Sequence, residues 1–587
     1  MPIQQMFLGG GAAGEVYWMI TWTTNSLSGS NASNSYSIND MEIDSSGNMY
    51  CSGRCKDYTG FGNDSDENGG FVIQIKKDGT LGWLRYVGTT AANIAYGLAL
   101  DSSKNVHVFG KLTEFVSGLT EPGYISKYNS SGTHQSTTST NYLRGGPDQH
   151  DGRIALTSSS FPTGWTSTTY YANGSSISGP GGTGEYRIFY NPNISNPWRL
   201  SFGTASAEGN NHKVLTDYMT SNYSGEWIMG KYRDSSSAVR FFDILNVSSS
   251  ATKECIVTAG SYNSAFPATI VLSTLDGTSN VAGQGGVQWV MKVDYTPTSS
   301  SQDGVTDIKI DSSNNIYMLS KCKRDTNRSG TILSKWHPSG KMIWARWVGN
   351  IYSNNKYISL RSFDFDSNDD VICVGDENHD TQQWTIVIKY NQAGEQQWQR
   401  RIKPSTNHVR AARGVSIDKD DNDKIFICGQ GNTISGGGGN RAWLIQTNAD
   451  CSSIGNEKTF NTTDPSGADE RWYHIKVQDD AIFIGGYKYG QLQSNNSVKS
   501  GFAVKVPKDF SLTGTYGNVT YGNPTGNCSI VSNPNFPQYP LVPSPTTDDW
   551  VEMVYPMPTN NGLNYASNST SSTTSSNPNF DTELVEA

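Results

Sequence analysis

The chain has 587 residues, of which 61 are glycine, 11% are aromatic and only 17% are charged. Its polar share is dominated by Ser, Thr and Asn, a mixture that suits short strands and many turns and excludes long charged helices. A formal net charge of −9 argues against a nucleic-acid partner, and no apolar run approaches the roughly 18 residues of a membrane-spanning helix.

In chain order, the opening stretch MPIQQMFLGGGAAGE has no basic segment ahead of its short apolar run, so it reads as a tail rather than a secretory leader. The strand VYWMITW, residues 16–22, follows. Its Trp18 matches tryptophans on the fourth strand of later units, and the strand is expected to be donated to the last unit as an outer strand. From residue 37 a unit is written out in full. It has an alternating strand, DMEID, a polar turn, DSSGN, a second apolar strand ending near glycine, a third strand, FVIQIKKDG, and a fourth carrying Trp83. The same grammar returns as DSSNNIYMLS from Asp311, DSNDDVICVG from Asp366 and DKDDNDKIFICG from Asp418. Gly79 and Trp83, Gly340 and Trp344, and Gly394 and Trp398 keep a common spacing of four residues. The turn aspartates are Asp44, Asp101, Asp311, Asp366 and Asp418; adjacent ones lie 57, 55 and 52 residues apart. That period fits the four-stranded blade of a β-propeller. Asp opening such a turn caps local N–H groups, and Gly or Asn takes its left-handed position.

Clear units start near residues 37, 95, 303, 359, 411 and 471. The stretch 150–295 is irregular. It is read as two more units, GRIALTSSS through PWRLSFG and AVRFFDILNV through VQWVMKV, with HKVLTDYM and GEWIMGKY as an extra hairpin between them. The expected architecture is all-β: a β-propeller of four-stranded blades over 35–522, eight units favoured and seven the alternative. An N-terminal tail, 1–34, carries the closing strand, and a Pro-rich then Ser/Thr/Asn-rich C-terminal tail covers 523–587. Such tails bury little, and partner surfaces are expected to order them.

Four of the eight cysteines, Cys51, Cys255, Cys373 and Cys428, fall on apolar strands as small hydrophobes. Cys51 and Cys55 lack the second pair that a zinc set needs, which suits synthesis in a reducing cytoplasm. The string GNDSDENGG places Asp64, Asp66, Asn68 and Gly69 like the start of an EF-hand loop, but Ile75 stands where the closing Glu belongs. Asp64, Asp66 and Asn68 are therefore the candidate metal ligands, and calcium is the one cofactor considered. No G-x-S-x-G, H-E-x-x-H or P-loop string is present, and no catalytic residue is assigned. The loop acids Asp64, Asp66, Glu67, Asp376 and Glu377 keep a glycan hydrolase or lyase as the alternative to a non-enzyme.

Tight turns join strands one to two and three to four, whereas the connections from two to three and between units vary in length. The variable connections emerge on one face, which is the expected binding face of a rigid scaffold. Its candidate ligand or receptor contacts are Tyr58, Phe61, Tyr352, His379, Trp384, Tyr487 and Tyr489, with Tyr357 beside them. Trp384 and Tyr357 equally suit packing between blades.

The unit D-x-x-G-N-x-Y-x-x-G, followed by K-Y-x-x-x-G-x-x-x-W, resembles the bacterial SBBP-type β-propeller repeat over residues 37–110 and 303–430. That resemblance implies a scaffold and no particular activity. The opening MPIQQMFLGGG and the closing NPNFDTELVEA resemble the ends of virion structural proteins of marine tailed phages, cyanophages in particular. This implies a non-enzymatic component of the phage tail or a tail fibre, made in the host cytoplasm and oligomeric in the particle. It would meet other virion proteins through its tails and a host-surface glycan or protein through its variable face. A secreted bacterial adhesin is a further alternative.

Overall fold

The computed structural model describes residues 3–10, 15–22, 36–56, 68–87, 93–112, 123–140, 152–162, 166–171, 185–190, 200–201, 225–232, 239–247, 250–261, 268–274, 287–294, 304–323, 329–336, 338, 342–349, 358–379, 382–403, 409–432, 440–462, 470–491, 494–524, 528–532, 563–566 and 581–584. Among them there is no helix, and so none long and apolar enough to cross a membrane. The first blade shows how the repeat folds. Tyr36–Ile43, Met49–Lys56, Asn68–Ile75 and Leu81–Val87 pair antiparallel in chain order, the first strand innermost. The second (93–140), fourth (305–349), fifth (358–403) and sixth (409–462) blades repeat that order. The third takes Arg153–Pro162, Ser250–Ser261, Ala268–Thr274 and Val287–Asp294.

Five of these six blades are each built from one stretch of chain, and the third from two. A closing sheet takes Arg471–Gln478, Ala481–Gln491 and Ser494–Pro507, and its fourth strand is Val16–Trp22 from the other end of the chain. Trp18 lies opposite Lys505 and Trp22 opposite Gly501. Each innermost strand touches the next around the ring, and the closing sheet touches the first blade. The architecture is a β-propeller, but the expected eight units, or seven as the alternative, are replaced by six four-stranded blades and this composite closing sheet. The reason lies in 150–295. Arg153 pairs opposite Ala259 and Pro162 opposite Ser250, so strands read as belonging to two units are neighbours in one. Between them the chain makes a long excursion, in which Gly225–Tyr232 pairs with Val239–Val247, the segment read as opening a unit of its own. HKVLTDYM lies outside the described residues.

The turns hold the ring together. Asp44 Oδ1 accepts N–H bonds from Ser46 at 2.8 Å and Asn48 at 3.0 Å. Asp101, Asp311 and Asp366 cap their own turns in the same way. The left-handed residue of one such turn then reaches back to the preceding blade. Lys104 Nζ donates to Ser46 Oγ at 2.7 Å, and Asp423 accepts Ser367 N at 2.8 Å. The turns between strands three and four lock to a neighbour through tryptophan. Trp344 Nε1 donates to Gln392 O at 2.9 Å, with Gly394 beneath its ring. A Cβ on Gly394 (φ +77°) would lie 2.7 Å from Trp344 Cδ2, so only glycine fits. Trp18 meets Gly79 in the same way and donates to Lys77 O at 3.1 Å, which carries the interlock across the closure.

Apolar clusters fill the space between blades. One joins Tyr317, Leu319, Leu333 and Trp344 of the fourth blade to Leu360, Phe363 and Val371 of the fifth. The chain beyond the closing sheet lays strands on outer edges: Val519–Gly522, at the end of the segment read as propeller, on Ile454–Thr462 of the sixth blade, and Ser529–Ser532, in the segment read as C-terminal tail, on Gln396–Lys403 of the fifth. Covered edges do not template pairing with other chains.

Candidate functional site

The innermost strands have a sheet partner on one side only, so some of their N–H groups need other acceptors. Side chains of the preceding blade supply them. Asp40 Oδ2 accepts Leu98 N at 3.0 Å, Asp307 Oδ2 accepts Phe363 N at 3.1 Å, Asp364 Oδ2 accepts Ile417 N at 2.9 Å, and Ser416 Oγ accepts Val477 N at 3.0 Å. These residues therefore form part of the wall of a central channel of about 1200 Å³.

Most of the inner strands also carry a β-bulge, five positions before the residue that opens the following turn. The extra residue is Asn39, Tyr96, Thr306, Arg361, Arg413 or Tyr473; Arg153–Pro162 of the third blade runs without one. A bulge re-aims its side chain. Asn39, Tyr96 and Thr306 are buried, and Asn39 Nδ2 donates to Ala95 O at 2.8 Å. In the fifth and sixth blades and the closing sheet, the same position puts Arg361, Arg413 and Tyr473 into the channel wall. Arg471 joins them from the start of its strand, and Arg54, Arg153, Lys321 and Lys499 continue the cationic collar. First strands start, and second strands end, at the face of variable connections, so this collar belongs to that end of the channel.

Asp376 lies buried within the collar. It accepts a hydrogen bond from Arg361 Nε at 2.9 Å, and Arg413 Nη1 stands 3.9 Å away. Burial, then the charge of Arg361, pushes the Arg413 pKa down, with Asp376 opposing and Arg471 adding to the fall. Arg413 Nε and Asp376 Oδ2 are buried without hydrogen-bond partners. Deeper in the channel, burial raises the Asp40 pKa to about 7 against the pull of Arg153. His474 Nδ1 stands 3.7 Å from Asp40, and burial lowers its pKa to about 3, which keeps the ring neutral.

Among the candidate contacts read from sequence, Tyr487 belongs to the channel wall. Its ring has Arg471 at 5.8 Å, Lys499 at 4.7 Å and the Tyr473 ring at 5.9 Å. Trp384 packs on its own blade beneath Arg401 and Lys403, at 5.6 and 5.4 Å, while Arg401 grips Glu377 at 2.6 and 2.7 Å. The backbone places His379, Tyr489 and Asn68 on strands. Tyr58, Phe61, Asp64, Asp66 and Tyr352 lie outside the described residues, as do Tyr357 and Glu67. Among the described residues no three His, Cys, Asp or Glu side chains surround a common metal position. Cys51 and Cys55 are buried free thiols, and burial pushes the Cys55 pKa to about 12. The sequence reading missed Arg361, Arg413, Arg471 and Tyr473. The available signal was alignment of the units on their turn residue, which puts the two arginines and Tyr473 in one column.

No protein-family model and no curated protein matches the chain. Among solved structures it is similar to a subtype N10 neuraminidase-like protein of A/little yellow-shouldered bat/Guatemala/060/2010, at 8% identity and a TM-score of 0.27, over 50% of this chain and 97% of the other. It is similar to a PL25 ulvan lyase of a polysaccharide lyase family, at 10% identity and a TM-score of 0.27, over 73% of this chain and 90% of the other. The polysaccharide lyase Uly1 matches at 10% identity and a TM-score of 0.24, over 70% of this chain and 89% of the other. The strand order itself, rather than these slight likenesses, identifies the propeller.

Proposed function

We propose that the chain is a non-enzymatic recognition propeller that holds an acidic surface glycan at the collared mouth of its channel. The observation that carries this reading is charge placement. In a chain of net charge −9, cationic side chains from six sheets converge on one rim, Arg54, Arg153, Lys321, Arg361, Arg413, Arg471 and Lys499 among them. A partly desolvated cationic concavity raises the local concentration of an anionic polymer. The resemblance of the two chain ends to marine phage structural proteins supports a setting in a phage tail or tail fibre, with the rim turned to the host surface.

The test is retention of the full chain on immobilised polygalacturonate, dextran sulfate and neutral dextran. The acidic polymers should retain it, less so as salt rises, and dextran should not. Equal retention on dextran, or none on either acidic polymer at low ionic strength, overturns the reading. A glycan-cleaving propeller is the second reading, favoured by the carboxyl of Asp40, which titrates near neutrality in the same channel. New reducing ends or unsaturated products, lost on Asp40→Asn, would establish cleavage in place of recognition alone.

A further inference from the structure

We propose that Arg361, Arg413 and Arg471 form a seat for a single carboxylate of an acidic sugar, with Arg413 as its anchor. The proposal rests on the reading that the collared mouth is the ligand-binding end.

Three consecutive sheets each bring one arginine to the same stretch of wall, two of them through the bulge. The carboxylate of Asp376 stands beside Arg361 and Arg413. Arg361 already occupies it at 2.9 Å, and Arg413 at 3.9 Å is beyond a hydrogen bond. Arg413 Nε is buried without an acceptor. A guanidinium donor left so is costly unless an acceptor arrives. Nε itself is covered, but the side chain is 17% exposed in the channel wall, so an acceptor can reach the uncovered part of the guanidinium. The planar fork of arginine matches a carboxylate bidentately. A uronic acid offers Arg413 that carboxylate, while Asp376, 1% exposed, stays behind the seat and holds Arg361. The neighbouring rings of Tyr473 and Tyr487 give the sugar an apolar surface to lie against. The positive charges of Arg361 and Arg471, which with burial depress the Arg413 pKa, are the repulsion that a bound anion relieves.

The experiment is calorimetric titration of the full chain with galacturonate, galactose and inorganic sulfate at low ionic strength. Galacturonate should bind and galactose should not. Arg413→Gln should weaken galacturonate about tenfold or more, Arg413→Lys should weaken it although charge is kept, and Lys419→Gln, at the other end of the channel, should leave it unchanged. Arg361→Gln carries the same test if Arg413→Gln does not fold. Galacturonate binding that is equal in all variants overturns the seat. Sulfate bound more tightly than galacturonate overturns the carboxylate assignment. If polygalacturonate is retained by wild type and Arg413→Gln alike, the seat falls and the recognition face stands. If galacturonate binds through Arg413 while neither acidic polymer is retained, the seat stands and the polymer reading falls.

Discussion

Asp40 shows how one side chain links blade assembly to the chemistry of the channel. Its Oδ2 accepts Leu98 N from the second blade at 3.0 Å, and its Oδ1 accepts Met41 N at 2.9 Å. Burial is the largest influence on its pKa, with Arg153 pulling down and Glu42 pushing up, and the result is about 7. In the unfolded chain the group titrates near ~3.9. The folded state therefore holds this proton more tightly, and the stability so gained is fully present below about pH 4 and lost as pH rises through about 7. Asp40→Asn keeps an acceptor for Leu98 and removes the charge. The variant should match wild type near pH 3–4 and become the more stable protein by pH 8, by up to about 4 kcal/mol at about 1.4 kcal/mol per pKa unit. The neutral His474 contributes equally to both proteins and drops out of the difference. Urea melts of the two proteins across this range measure it, and a stability gap that does not vary with pH would show that Asp40 is ionised throughout.

The turns explain which elements could be read from sequence and which could not. Asp at the head of a turn, a left-handed residue three positions on, and Trp four residues after Gly are local chemistry, so the repeated blades were legible from letters alone. The Gly–Trp spacing was read within one unit, yet its contacts join two: Gly394 lies under Trp344 of the preceding blade. The third blade was illegible because an excursion separates its first two strands, and no local pattern says that Arg153–Pro162 resumes with Ser250–Ser261. The bulge was hidden for a different reason. It is a backbone feature imposed by the pairing, and Asn, Tyr, Thr and Arg all occupy it, so residue type does not announce it. Tyr487 was legible because its surroundings read as a variable connection, where an aromatic is a conspicuous candidate, although it lies on the strand Ala481–Gln491; Arg413 lies inside an ordinary-looking strand. The turns also separate in energy by burial. Asp311 accepts Ser313 N, Asn315 N and Asn315 Nδ2 at 2.8–3.0 Å and stands 3.3 Å from the buried Lys335 Nζ. Asp311→Ala strands that cation and should lower stability by about 3 kcal/mol. Asp421 pairs with Lys424 at 2.7 Å on the surface, and Asp421→Ala should stay below about 1 kcal/mol. Denaturant midpoints of the two variants at equal m-value test this ordering, and equal losses would count against burial as its cause.

Across the whole molecule, the ring depends on a strand from one end of the chain completing a sheet built near the other. Val16–Trp22 brings Trp18, Met19, Ile20 and Trp22, each at most 1% exposed, into the cluster shared by the closing sheet and the first blade. Glu15 adds a polar clamp, accepting from Lys505 at 2.6 Å and pairing with Lys77 of the first blade. Four such side chains at roughly 1.5–3 kcal/mol each amount to on the order of 10 kcal/mol, which is comparable to the roughly 5–15 kcal/mol that holds a typical domain folded. Removing residues 1–22 also bares the edge of Ser494–Pro507, which can then pair with other chains. The truncated protein should therefore lose its cooperative melt or melt well over 10 °C lower, and it should associate as concentration rises. Trp18→Ala keeps the strand and its backbone pairing but removes the ring over Gly79, so it should cost only about 3–5 kcal/mol and leave the protein monodisperse. A peptide of residues 1–22 added in trans should raise the melting temperature of the truncated protein in proportion to its occupancy. Calorimetry with light scattering distinguishes these cases. A truncated protein that melts like the full chain and stays monodisperse would mean that the ring is held shut by blade-to-blade packing alone.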